Sequence, residues 1–146
     1  MRINSAMVRP GLIASAKMYS LITKDSKLYI IKTGPGLATQ KLYSQGLLGL
    51  RTHQGTLENL AVGALIKNTL KKVAAGEARI SDNNLDELAG EKDCHVFELS
   101  EISNVQLRET PQDIELKFTA AGKKFRFDCP LMDKNEVGLF FRELNG

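Results

Sequence analysis

Residues that most often carry catalysis are sparse in this chain of 146 residues, which contains two histidines and two cysteines. His53 lies beside Arg51 in the glycine-flanked stretch LRTHQG. General acid–base or nucleophilic catalysis requires a second group held within reach of the histidine, and the sequence places none with it. We therefore interpret His53 as a surface residue and expect that the protein is not an enzyme.

The sequence lacks the residue spacings that metal sites and phosphate-binding loops require. Cys94 and His95 are adjacent in a strand-like run, so their side chains point to opposite faces and cannot hold one ion. The acidic run Asp82–Asp93 lacks the ligand offsets and central glycine of a calcium loop. The glycine-rich stretch YSQGLLGLRTHQG lacks the P-loop and dinucleotide-binding spacings. The sequence therefore predicts no metal and no cofactor.

Basic residues are the one set that could form a binding site. Residues 1–76 carry eleven Lys and Arg against two acids, whereas residues 77–146 carry nine against fifteen. This split favours either an anionic partner for the basic half or charge pairing between the two halves. The candidate residues for lipid or anion binding are Lys24, Lys27, Lys32, Lys41 and Arg51. Nucleic acid is an unfavoured partner, because few aromatic residues accompany these cations.

Composition indicates an ordinary globular protein. Hydrophobic residues make up 42% and charged residues 25% of the chain. No window is apolar enough for a membrane span, and the N-terminal stretch lacks the apolar core of a signal peptide. Two cysteines, Cys94 and Cys129, do not form a disulfide framework, and we expect buried free thiols. We predict one domain and a cytoplasmic location, with attachment to the membrane periphery as the alternative.

A β-hairpin is predicted in the basic half. In SLITKDSKLYIIK, a turn at Asp25-Ser26 places Ile22 opposite Tyr29 and Leu21 opposite Ile30. Apolar residues occupy both faces of the hairpin, which favours cover on both sides. The first strand is expected to begin near Leu12. We interpret the lysine-bearing turn as an ordinary hairpin tip, with lipid contact as the alternative.

The middle of the chain, about residues 43–93, is predicted to be helical. One helix runs from the N-cap Thr56 to Gly76, and a second runs from Asp82 to Ala89 with Ser81 as its cap. The apolar face of the first helix is too wide for a lone surface helix, so part of it is a candidate partner interface. Its members are Leu57, Leu60, Leu65, Ile66, Leu70 and Val73.

The last third of the chain predicts strands and a closing helix. CHVFEL and ISNVQLRE are two strands, and DIELKFTAAGKKFRFDC is a hairpin turning at Ala121-Gly122. Its apolar pairs are Phe118 with Phe125, Leu116 with Phe127, and Ile114 with Cys129, while Glu115, Lys117, Lys124 and Arg126 face water. A helix is predicted to begin at Asp133, because Asp133-x-x-Glu136 is close to a capping-box pattern. The apolar face of this helix is expected to cover the sheet, and its members are Val137, Phe140, Phe141 and Leu144.

Three segments of the chain, followed by the closing helix, resemble a pleckstrin-homology-like domain of the bacterial or GRAM type. The segments are SLITKDSKLYIIK, VFELSEISNVQL and DIELKFTAAGKKFRFDC. The resemblance implies an α+β fold: a strongly bent antiparallel sheet or barrel with a C-terminal capping helix. The helical segment of residues 43–93 stands out as an insertion between two β-rich halves. Family members bind lipids, peptides or proteins. We therefore expect a non-enzymatic protein-interaction or scaffold module, self-association being one form of it. Peripheral binding of anionic lipid headgroups is the alternative.

Overall fold

The computed structural model describes residues 1–8, 17–35 and 57–146, without the side chains of residues 57–66 and 69. The strands are β1 (Arg2–Val8), β2 (Lys17–Lys24), β3 (Lys27–Pro35), β4 (His95–Glu98), β5 (Ile102–Glu109), β6 (Asp113–Ala120) and β7 (Lys123–Pro130). The helices are α1 (Leu57–Ala78), α2 (Leu85–Ala89) and α3 (Lys134–Leu144). The predicted α+β class is confirmed, while the predicted strand start near Leu12 lies outside the described residues.

All seven strands form one antiparallel sheet in the order β4-β3-β2-β1-β7-β6-β5. Its two edge strands, β4 and β5, are consecutive in the chain and are joined by a 3-10 turn of 3 residues, Leu99–Glu101. In a flat sheet six strand spacings would separate the edges by roughly 29 Å. The connection from Glu98 to Ile102 spans at most about 14 Å. The sheet is therefore strongly bent, as predicted.

Aromatic contacts show the bend directly. The ring centroid of Phe97 on β4 lies 5.5 Å from that of Phe125 on β7, and His95 lies 5.4 Å from Phe125. Strands β4 and β7 are four places apart in the sheet order, so a flat sheet would hold these rings far apart. The concave side of the sheet therefore folds over its own aromatic side chains.

The barrel alternative is wrong, because the sheet is not closed over the described residues. β4 and β5 do not pair; the turn between them bonds instead to the tips of two hairpins. The backbone N–H of Leu99 donates to the Ser26 oxygen at 2.9 Å, and that of Ala121 donates to the Glu101 oxygen at 3.2 Å. These bonds fix one corner of the sheet and leave the two edges separate.

The concave core is lined by the second hairpin and covered by α3. All three predicted pairs of β6 and β7 occur, from Phe118 with Phe125 to Ile114 with Cys129. Val137, Phe140 and Leu144 of α3 are buried in the same cluster, and Phe141 packs beside it. Complete burial of a Phe side chain stabilises the fold by roughly 1.5–3 kcal/mol. The start of α3 differs from prediction, since its N-cap, Asp133, makes no side-chain capping bond.

Strands β2 and β3 are covered on both faces, as their sequence predicts. The register places Ile22 opposite Tyr29 and Leu21 opposite Ile30. Leu21 and Ile30 belong to the concave core, whereas Ile22 and Tyr29 pack on the other face against α2. The two turn residues have φ values of 52° and 62°, which suit a two-residue hairpin turn.

Strand β1 was not predicted from the sequence. Its register with β2 shifts between Ile3 and Ala6, and Ser5 within this bulge has φ 58°. The bulge puts Ile3 and Ala6 in the same core although they are three residues apart. This spacing hides the two-residue alternation by which strands are identified.

Both central helices differ from their predicted bounds. Helix α2 begins at Leu85 rather than Asp82, and Ser81 is not its cap. The side chain of Asn84 instead closes the preceding turn: its oxygen accepts from the Ser81 N–H at 2.8 Å and its amide donates to the Arg79 oxygen at 2.6 Å. Helix α1 continues past Gly76 to Ala78.

Gly76 is where α1 touches the sheet. A Cβ at this position would lie 1.8 Å from the Thr33 oxygen of β3, so only glycine permits this approach. One turn earlier, Val73 packs with Met7 and Met18 in a small core of its own. The C-terminal part of α1 is therefore fixed to the sheet. No helix within the described ranges is long and apolar enough to cross a membrane.

Gly76→Ala should lower the free energy of unfolding by about 1–3 kcal/mol, because the added methyl group overpacks the contact with β3. Gly138→Ala in α3 is the matched control, since nothing lies within 4 Å of its added Cβ. The control should stabilise the protein by up to about 1 kcal/mol. Urea unfolding measures both changes, and equal effects at the two positions would refute the docking of α1 on β3.

Candidate functional site

An open cleft of about 530 Å³ lies beside Lys24, at the end of β2. It is lined by the start of β1 with Arg2, by the end of β2, and by residues of the turn between α1 and α2, and its lining is polar as well as apolar. The Lys24 Nζ donates to the backbone oxygen of Asp82 at 2.7 Å. An Arg2 Nη2 donates to the backbone oxygen of Glu77, also at 2.7 Å. Two cations held by backbone oxygens therefore lie at this open cleft.

The other predicted anion-binding residues are not brought together with Lys24 in this cleft. Lys27 begins β3 and lies opposite Glu98 of β4. Lys32 lies further along β3, where its Nζ is 3.4 Å from Asp93. Lys41 and Arg51 lie outside the described residues. The predicted five-residue anion site stays a prediction, with one of its members in the cleft.

Some basic residues of the first half of the chain form ion pairs with an acidic residue of the second half. Lys17 and Lys32 of the basic half both form ion pairs with Asp93 of the acidic half, at 3.3 and 3.4 Å. Lys17, then Lys32, holds the pKa of Asp93 below its ordinary value. Charge pairing between the halves therefore accounts for some of the asymmetry.

Helix α1 carries the predicted partner surface, and the structure separates two of its members. Val73 is 3% exposed and belongs to the core, whereas Leu70 is 37% exposed. Leu57, Leu60, Leu65 and Ile66 lie in the helix, but their side chains are outside the description. The prediction of a partner surface is thus narrowed to the part of α1 before Val73.

A basic cluster on β5, β6 and β7 surrounds one buried acid. Glu115 was expected to face water, but it is only 2% exposed. Its Oε2 accepts from Arg126 at 2.6 Å and from Arg108 at 3.1 Å, and its Oε1 lies 3.1 Å from the Lys117 Nζ. The three long side chains come from neighbouring strands and cover the carboxylate, which is why the alternation within β6 alone misplaced it.

The cluster keeps Glu115 ionised. Burial by itself would raise the pKa of Glu115, but the bond from Lys117 and the charges of Arg126 and Arg108 outweigh burial and lower it. Three cations around one carboxylate leave an excess of positive charge on this face of the sheet. The role that follows directly is structural, since one acid fixes side chains from three strands.

The two thiols lie in different environments. Cys129 is fully buried in the concave core, which raises the pKa of its thiol to about 12. Cys94 is half-buried, and its sulfur accepts a bond from the Lys32 N–H at 3.3 Å. Neither thiol is activated as a nucleophile, because burial raises both pKa values. No group of three or more potential metal ligands occurs in the parts of the chain that the structure describes.

Sequence reasoning missed three polar residues of the cleft: Arg2, Thr23 and Ser81. Arg2 lies on the unpredicted strand β1, and Ser81 was assigned to a helix cap. Thr23 lies within the predicted first hairpin, but its pattern does not point to a cleft. No signal in the local pattern brings these residues together, because their neighbourhood depends on the pairing of β1 with β2 and on the turn that Asn84 closes.

Glu115→Gln should lower the free energy of unfolding at pH 7 by about 1–3 kcal/mol, since charge-assisted bonds from three strands are weakened. The folded-state pKa of Glu115 is lowered, so its contribution is full above the ordinary value of 4.5 and disappears as pH falls through the folded value. The difference from wild type in urea unfolding should therefore shrink at pH 3.

Glu109→Gln is the control, because Glu109 pairs with Lys134 at 3.0 Å in an exposed position. Loss of this exposed ion pair should lower the free energy of unfolding by less than about 1 kcal/mol. A Glu115 effect no larger than this, or one that does not change with pH, would contradict the stabilising role of the cluster.

Comparison of the chain with protein-family models, with curated proteins and with solved structures gives no match. The resemblance to pleckstrin-homology-like domains stays a prediction.

Proposed function

We propose that this chain is a non-enzymatic protein-interaction module with a pleckstrin-homology-like fold, and that α1 is its interaction surface. The fold assignment is supported by the bent antiparallel sheet of seven strands and by α3, which covers the concave core. Lack of barrel closure in the described residues is a departure from the form that the resemblance implies. The partner that we propose is a second copy of the chain.

The observation that carries the proposal is the change in exposure along one stripe of α1. Val73 is buried, and Leu70, on the same face and one turn earlier, is 37% exposed. The sequence continues this stripe with Ile66, which is two turns before Val73. The helix has 22 residues and is therefore roughly 33 Å long, while its described contacts with the sheet are near its C-terminal end.

The charges beside the stripe set the expected salt dependence. Lys67, Lys71 and Lys72 are exposed on α1 near Leu70. In a pair of identical α1 surfaces these like charges come close to one another and repel. Added salt screens such repulsion, so self-association through α1 should become stronger as the salt concentration rises.

Binding of anionic lipid headgroups through the first hairpin is the weaker candidate. Lys17 and Lys32 of this hairpin already form ion pairs with Asp93, which leaves fewer uncompensated cations for a membrane surface. We propose a cytoplasmic location, which is consistent with two cysteines that are not joined.

Sedimentation velocity over a range of concentrations tests the proposal. The wild type should sediment as a monomer–dimer equilibrium that shifts toward the dimer at higher salt. Leu70→Glu should make the protein monomeric, because it places a charge in the apolar contact; a fully lost contact of this kind weakens association by at least about tenfold. Lys123→Glu, on the exposed end of β7, is the control and should leave association unchanged. A monomer at every concentration would refute the proposal.

A further inference from the structure

A cationic surface lies on the outer side of β5, β6 and β7, and the proposed interaction through α1 does not use it. Side chains alternate along β6, so Ile114, Leu116 and Phe118 enter the concave core while the residues between them lie on the outer side. The register with β5 and β7 places further cations on the same side. We call this surface the basic face, and its cations are Arg108, Lys117, Lys124 and Arg126.

The four cations of the basic face are accessible to a partner. The side chain of Arg108 is 67% exposed, that of Lys117 is 45% exposed and that of Arg126 is 42% exposed. Lys124 is exposed as well, two residues before Arg126 on β7, which separates the two positions by roughly 7 Å. The positive charges are therefore spread over three neighbouring strands and face solvent.

The acids on this side of the sheet lie beneath the cations. Asp113, Glu115 and Asp128 are 8%, 2% and 4% exposed, so a partner meets the cations first. Glu115 fixes three of the cations by direct contacts. Each of these side chains has several N–H donors, and those that do not bind Glu115 stay available to a partner. The basic face is therefore a positive surface whose charges are already positioned.

Neutral polar side chains lie between the cations. Gln106 of β5 is opposite Lys117, and Thr119 of β6 is opposite Lys124. In complexes with nucleic acids, phosphate oxygens accept hydrogen bonds from Lys and Arg and also from Ser, Thr, Asn and Gln. The composition of the basic face matches this set of donors.

The basic face lacks an apolar anchor among the residues that the structure describes. Leu107 of β5 is 37% exposed, but it lies opposite Leu116 on the core side of the sheet. Protein interfaces usually depend on buried aromatic or apolar anchors, and binding to a membrane surface becomes stronger with buried apolar area. The charges of the basic face therefore favour a polyanion with regularly spaced phosphates over a protein or a membrane.

We propose that the basic face binds the phosphate backbone of a duplex nucleic acid without reading its sequence. Arg108 and Arg126 suit this role, because a guanidinium group can donate two parallel bonds to one phosphate. Single strands are usually held by aromatic rings on which their bases stack, and the described residues of this face include no such ring. The expectation against nucleic acid rests on the cations of residues 1–76 and does not concern this face.

Fluorescence anisotropy with a short labelled DNA duplex, repeated over a series of salt concentrations, tests the proposal. Four phosphate contacts give a slope of about −3.6 when log K is plotted against log salt concentration, so binding should weaken by about 100-fold between 50 and 200 mM salt. A second duplex of unrelated sequence should bind equally, since no base is read. Lack of binding at low salt would overturn the proposal.

Lys124→Gln is the variant that locates the contact. Lys124 forms no ion pair with any residue in the described ranges, so urea unfolding of this variant should match wild type. The variant should reduce the magnitude of the salt slope by about 1 and weaken binding several-fold at low salt. The double variant with Lys117→Gln should reduce the magnitude of the slope by about 2.

Lys123→Gln is the matched control. It removes the same charge from the adjacent residue, whose Nζ lies on the other side of the strand, 5.3 Å from the centroid of the Phe125 ring. This variant should leave the salt slope unchanged. Equal effects of Lys123→Gln and Lys124→Gln would show attraction to the overall charge of the protein and would overturn the assignment to the basic face.

Three other probes distinguish the partner. Single-stranded DNA of the same length, poly-glutamate and phosphatidylserine vesicles should each bind more weakly than the duplex. Tighter binding of the single strand would contradict recognition of a duplex, and equal binding of poly-glutamate would show a surface for any polyanion. Vesicle binding that depends on Lys124, without duplex binding, would place the basic face on a membrane. Each of these results overturns the proposal.

Discussion

The short connection between β4 and β5 is the constraint on which the rest of the structure depends. It joins the two edges of a seven-stranded sheet through only three residues, Leu99–Glu101. The sheet satisfies this connection by bending until Phe97 on β4 meets Phe125 on β7. The bend creates a concave apolar wall, and that wall determines where Phe140 of α3 packs.

The same bend explains why the convex face of β2 and β3 needs its own cover. A sheet whose concave side is filled by β6, β7 and α3 still presents Ile22 and Tyr29 on the other side. Helix α2 packs there, and the Tyr29 hydroxyl donates to Asp86 at 2.8 Å. The turn that precedes α2 then lies near Lys24 and the start of β1, and the cleft is the space that remains between them.

The sequence predicts features whose cause is local. The pairs of β6 with β7 follow from strict alternation and a two-residue turn, so Phe118 opposite Phe125 could be derived from the chain alone. Features that depend on residues far apart in the chain could not be predicted from the sequence. The bulge at Ser5 hides β1, and the burial of Glu115 depends on cations from other strands. For the candidate site, the lysine-rich hairpin indicated Lys24, but its neighbours in the cleft come from elements far along the chain.

The most direct measurement is the nuclear Overhauser effect between the aromatic rings of Phe97 and Phe125, recorded on protein with labelled phenylalanine and assigned with Phe97→Leu and Phe125→Leu variants. The account predicts a strong cross-peak, because the ring centroids are 5.5 Å apart. A flat sheet would separate β4 from β7 by roughly 19 Å, beyond the reach of this effect. Absence of the cross-peak in the folded protein would contradict the bend.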